Sequence, residues 1–101
     1  MKIGRLTTEV PDCYKSLEQC QEEALWRILA NLEFGEQNGA QVHRLYAANC
    51  LEYAAEHNRE AFTPQVIGRV IPVLERVSND PDQFVRNGAT RALKKIRVLA
   101  A

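Results

Sequence analysis

The chain has 101 residues, 46% apolar and 26% charged, with 13 basic and 13 acidic side chains and no formal net charge. That size fits one domain with a thin stability margin, and the composition is that of an ordinary globular domain rather than a disordered or fibrous one. No apolar run approaches the ~20 residues of a membrane span, no signal-peptide core opens the chain, and three cysteines without framework spacing point to reduced thiols in a cytoplasmic protein.

Residues 1–10 show no helical stripe, since Ile3, Leu6 and Val10 are scattered among Gly4, Thr7 and Thr8, and they read as an extended arm. Pro11 and Asp12 suit a first helical turn. Tyr14, Leu17, Cys20, Ala24, Leu25, Ile28, Leu29 and Leu32 then form an apolar stripe, which Gly35 is expected to close as a left-handed cap. Ser16 and Gln19 form a capping-box pattern, so 11–34 reads as one helix or as two. A turn over 36–40 containing Asn38-Gly39 leads to a second helix over 41–57, rich in small residues (Ala47, Ala48, Ala54, Ala55), which Asn58-Arg59-Glu60 breaks.

Thr63 and Pro64 have the chemistry of an N-cap and first helical position. Val66, Ile67, Val70, Ile71, Leu74 and Val77 give this third helix a buried face, and Pro72 inside it is expected to bend it. Asp80-Pro81-Asp82 is a turn, with a fixed φ and two side chains able to bond nearby amides. In the helix that follows, Val85, Ala89, Ala92, Leu93 and Ile96 lie on one face at three- and four-residue spacing.

An offset of 42 residues superposes the two halves. It maps the Leu25, Ile28, Leu29, Leu32 register onto Ile67, Val70, Ile71, Leu74, and it pairs Arg27 with Arg69, Glu33 with Glu75, Gln41 with Gln83, Arg44 with Arg86, Ala47 with Ala89 and Leu51 with Leu93. With Leu32 on Leu74 these make seven identities over 24–54, more than the roughly two expected by chance, and periods near 40 belong to helical-repeat arrays. The run Asp80-Pro81-Asp82, then Val85-Arg86, Ala89, Ala92-Leu93 and Ile96 resembles the second half of a HEAT repeat. The first half departs from that pattern: Asn38-Gly39 replaces Asp80-Pro81, and His43 stands where Val85 stands.

The resemblance implies an all-α fold in a single domain over 1–101: two HEAT-like helical hairpins forming a short right-handed α-solenoid, with an N-terminal arm (1–10), a first hairpin (11–57) and a second (63–99). A proline inside the first helix of a repeat, here Pro72, is common in that family. The second helix of each repeat would line an inner surface. It also implies that Arg86 reaches the turn aspartate of its own or an adjacent repeat. Asp80, Arg86, Asn38 and Arg44 would then form a structural ladder of turns, through charge-assisted bonds rather than ligand binding.

Placing Val85, Ala89, Ala92 and Ile96 inward turns Gln83, Asn87, Thr90, Arg91 and Lys94 outward. The offset then sets Gln41, Leu45, Ala48, Asn49 and Glu52 beside them, with Glu52 next to Lys94 and Asn49 next to Arg91. Leu45, Asn49, Glu52, Asn87, Arg91 and Lys94 are therefore the expected partner-binding residues. The aromatic Trp26 flanks its stripe and reads as core. Cys13, Cys20, Cys50, His43 and His57 lack the close ligand pairs of a zinc site. Phosphate loops and nucleophile elbows are absent too. The chain thus reads as a non-enzyme with no metal and no cofactor.

The expected function is non-catalytic protein binding through the inner helix face, as a small adaptor, inhibitor or subunit. A nucleic-acid-binding module using the basic last helix is the alternative, because after Asp82 the sequence has five basic residues and no acidic one. Residues 1–60 hold six basic side chains against ten acidic, net −4; residues 61–101 hold seven against three, net +4. Attraction between those halves would favour a homodimer.

Overall fold

The computed structural model describes residues 22–101 and builds them into four helices: α1 (Glu22–Asn38), α2 (Gln41–His57), α3 (Pro64–Val77) and α4 (Gln83–Ala100), with a 3₁₀ turn at Arg59–Ala61. Among the described residues there is no strand, so the architecture is all-α. The arm, the helix start at Pro11, the Ser16–Gln19 box and the thiols of Cys13 and Cys20 lie outside the described residues.

Each helix packs on two others. α1 touches α2 and α3, and α4 touches α2 and α3. The body measures 32 × 29 × 19 Å, and a thickness of 19 Å holds two helices of about 10 Å each. One layer is therefore α1 with α3, the other α2 with α4.

The apolar stripes meet between these layers. Leu25, Ile28, Leu29 and Leu32 of α1, Leu51 of α2, Val66, Val70, Leu74 and Val77 of α3, and Val85 and Ile96 of α4 are no more than 2% exposed. Small residues on α2 (Ala47, Ala48, Ala54, Ala55) and on α4 (Gly88, Ala89, Ala92) are buried as well, which lets these helices approach closely. On α3 the buried set is Val66, Val70, Val73, Leu74 and Val77, while Ile67 and Ile71 are half-buried at its edge.

The helix ends follow the side chains that satisfy their first amides. Thr63 Oγ1 accepts from the Val66 amide at 3.3 Å, with Pro64 in the first turn. Asp82 caps α4, its carboxylate accepting from Phe84 N at 2.9 Å and Val85 N at 3.0 Å. α3 runs on through the exposed Pro72 to Val77.

Gly35 corrects the expectation at the end of α1. The helix continues past it to Asn38, and the left-handed residue is Gly39, with φ of 63°. The Ala40 amide reaches back to the Gly35 carbonyl at 3.0 Å, the six-to-one bond of a Schellman ending. Gly35 is needed for another reason. A Cβ there would lie 2.6 Å from Arg44 Cγ and 3.0 Å from two backbone atoms, Ala40 O and Arg44 N. It is the point where α2 begins its close approach to α1.

Candidate functional site

α2 and α4 lie side by side and parallel, because contacts between them advance together along both helices. Gln41 Nε2 donates to Asp82 Oδ2 at 2.8 Å near the start. Midway, a Cβ on Gly88 would sit 2.8 Å from Asn49 Oδ1 and 3.6 Å from Ala48 Cβ. Arg91 then donates from Nε to Glu52 Oε1 at 3.1 Å and from Nη2 to Asn49 Oδ1 at 3.5 Å. Lys95 follows, bonded to both Glu52 and Glu56.

The turn end of this seam is held by one nearly buried ion pair. Arg44 Nε donates to Asp80 Oδ2 at 2.7 Å and Nη2 to Oδ1 at 3.3 Å, while Nη1 reaches the Gly35 carbonyl at 3.2 Å. The side chains are only 12% and 7% exposed. Asp80 Oδ1 also accepts from the Asp82 amide at 2.9 Å, fixing the turn. The partners within the turn differ from the expectation for Arg86: its Nη1 donates to the Asp80 backbone carbonyl at 2.9 Å, not to the carboxylate. Asn38 is bonded to the Phe34 carbonyl at 2.9 Å and takes no part in the ladder.

α4 turns Gln83, Asn87, Thr90, Arg91 and Lys94 outward as expected, all five exposed, but the pairing across the seam is shifted by one residue. α4 packs on α2 through Gly88 and also touches α3, so the direction of each side chain is set by two neighbours and not by one stripe. Glu52 is bonded to Arg91 and Lys95, whereas Lys94 is exposed and makes no hydrogen bond or ion pair with a described residue. Ala48, expected at the surface, is fully buried beneath Gly88. Leu45 and Asn49 are half-buried, and Asn87 is exposed.

Sequence reasoning missed the apolar part of this face. The exposed large hydrophobic residues among those described are Val42 (52%), Tyr46 (41%), Phe84 (69%) and Val98 (70%). Two stand on α2 and two on α4; neither α1 nor α3 contributes one. Under the 42-residue register Val42 and Phe84 occupy equivalent positions, and at about 100° per residue Tyr46 and Val98 fall within a quarter turn of them. All four point from one side of the α2/α4 layer. The available signal was their position: each is a large apolar residue that falls off its helix's buried stripe.

Between the apolar ends lies the Glu52–Arg91–Lys95–Glu56 network. Burial pushes the Glu52 carboxyl up, but hydrogen bonds from Lys95 and Arg91 outweigh it and leave it below the ordinary carboxylate range. The bonds Lys95 makes to Glu52 and to Glu56 raise it above the ordinary lysine value. Three adjoining concavities of about 350, 390 and 580 Å³ run from here to the 3₁₀ turn, and Glu56 lines all three. Cys50 is fully buried. His43 packs against Phe34, ring centroids 5.1 Å apart, with neither ring nitrogen hydrogen-bonded. No cluster of three His, Cys, Asp or Glu among the described residues is placed to hold a metal, and no helix among them is long and apolar enough to cross a membrane.

Compared with family models, curated proteins and solved structures, the chain matches none.

Proposed function

We propose that the chain is a non-catalytic protein-binding module, a small adaptor, inhibitor or subunit, that engages its partner through the α2/α4 face. In this reading the helices form two HEAT-like hairpins of a short right-handed solenoid, with α2 and α4 as the inner layer. The observation that carries it is the gathering of the four exposed large hydrophobics on that one face. Interface cores are built from such residues, aromatic ones above all.

The basic last helix gives less support to nucleic-acid binding than its composition suggests. Lys94 is exposed and bonded to no described residue, but the other four of its five cations are engaged, Arg86 with turn carbonyls, Arg91 and Lys95 with Glu52 and Glu56, and Arg97 with Glu75. Phosphate binding relies on cations that exchange counterions for phosphate, and those four already hold carboxylates or carbonyls.

The test is affinity capture from the native host with wild-type protein, Phe84→Asp and the control Arg27→Glu, a substitution on α1. A protein should be retained by wild type and control at salt high enough to screen surface charge, and lost with Phe84→Asp. Identical capture by all three would refute the assignment of the face.

A further inference from the structure

The inference concerns the occupant of the α2/α4 face and rests on the reading of that face as the binding surface. Its charge is sorted by helix. α2 contributes Glu52 and Glu56, and α4, which has no acidic residue along its length, contributes Arg91 and Lys95. The four cancel in sum. Although paired within the chain, Arg91 and Glu56 keep 54% and 46% of their side-chain surface exposed, so each can accept a second partner from above.

We infer that the occupant is a second copy of this chain, face to face, with the two-fold axis running along the helices so that α2 of each copy lies over α4 of the other. Charge selects this arrangement from the two that keep the helices of both copies aligned. An axis across the helices would stack α2 on α2 and α4 on α4, setting acid over acid and base over base. The axis along the helices sets the acidic row over the basic row, twice, in one self-complementary contact that closes with two copies. It also lays Val42 of one chain over Phe84 of the other, so the apolar residues meet where the charges agree. The hydrophobic contact supplies affinity, and the charge pattern supplies orientation.

Two measurements on the full chain test this. Sedimentation across a concentration series should show a monomer–dimer equilibrium. Phe84→Asp, and separately Val42→Asp, should raise its dissociation constant by roughly tenfold or more, as loss of an interface anchor does. Circular dichroism and melting temperature should stay those of the wild type. Orientation is read by disulfide trapping in a Cys13→Ser, Cys20→Ser background. A chain with Val42→Cys mixed with a chain with Phe84→Cys should cross-link on mild oxidation in preference to either alone. Cross-linking of each variant with itself instead would overturn the arrangement. A wild-type chain that sediments as a monomer at every concentration would overturn the second-copy occupant. Loss of heterologous capture by Phe84→Asp would, in that event, leave the binding face itself standing.

Discussion

The Arg44–Asp80 pair is expected to contribute more to stability than any other polar contact described above, and the geometry sets an order among three substitutions. Arg44→Met removes three donated bonds and keeps much of the stem that packs over Gly35. It strands a carboxylate that is 7% exposed and retains one donor, the Asp82 amide. Breaking a buried ion pair from one side costs about 3–5 kcal/mol. Since the guanidinium is still 12% exposed and the carboxylate keeps one bond, the lower end, about 3 kcal/mol, is expected.

Asp80→Asn keeps one acceptor oxygen but turns an amide NH2 toward a donor and leaves the 12%-exposed Arg44 guanidinium without its counter-charge, at about 1.5–3 kcal/mol. Arg86→Ala gives up one good bond to a neutral carbonyl, at about 1 kcal/mol. Urea denaturation followed by far-UV circular dichroism measures all three, with Arg44→Met/Asp80→Asn closing a double-mutant cycle. Contacting residues in one network couple by about 0.5–3 kcal/mol, and the upper half of that range is expected. If Arg86→Ala cost as much as Arg44→Met, or if the cycle closed with no coupling, the assignment of the load to Arg44 would be wrong.

Three further outcomes follow from single contacts. Gly35→Ala and Gly68→Ala should have opposite signs: helix propensity favours alanine by about 1 kcal/mol at both. At Gly35 overpacking against Arg44 and the Ala40 carbonyl costs about 1–3 kcal/mol, whereas a Cβ at Gly68 meets nothing within 4 Å; thermal melts of the two variants decide it. His43→Val should stabilise by about 1 kcal/mol, because it removes buried ring nitrogens that have no hydrogen-bond partner; a lower urea midpoint would contradict this. Glu52, held below the ordinary carboxylate range, binds fewer protons folded than unfolded as pH falls through that range. Its contribution is therefore complete above the ordinary carboxylate pKa and disappears as pH drops through its lowered folded value, and Glu52→Gln should flatten that part of the stability–pH curve.

The helices were legible because each carries its own period and two of the four, α3 and α4, carry side-chain N-caps. Thr63-Pro64 and Asp82 act within three residues of themselves, so nothing distant is needed to read them. Gly35 was misread because its reason is tertiary: the space it vacates is filled by Arg44, nine residues on and in the next helix. The partner of Glu52 on α4 was misplaced for a similar reason. Averaging Val85, Ala89, Ala92 and Ile96 treats the helix as facing one neighbour, and one residue of error in azimuth is about 100°, the difference between Lys94 and Lys95. The offset itself placed Asn49 beside Arg91, where a bond is found, since a repeat period depends on spacing and not on which way a side chain turns.

The uneven charge along the chain has a use inside the molecule. Glu33 pairs with Arg69, Glu36 with Arg76, Glu52 with Arg91 and Lys95, and Glu56 with Lys95: acids of the first half, bases of the second. Arg44 with Asp80 is the same link with signs reversed. Most of these pairs are exposed and each contributes no more than about 1 kcal/mol, so their value is not chiefly stability. Their partners stand 36 to 43 residues apart, all near the 42-residue offset. A slip of α3 and α4 by one helical turn, about 5.4 Å, would break them together with the Gln41–Asp82 bond while still burying an apolar stripe. Small-residue packing between α2 and α4 tolerates such a slip far better than paired charges do. The −4/+4 division therefore selects the register, and the register is what brings Val42 and Phe84 to equivalent places on one face.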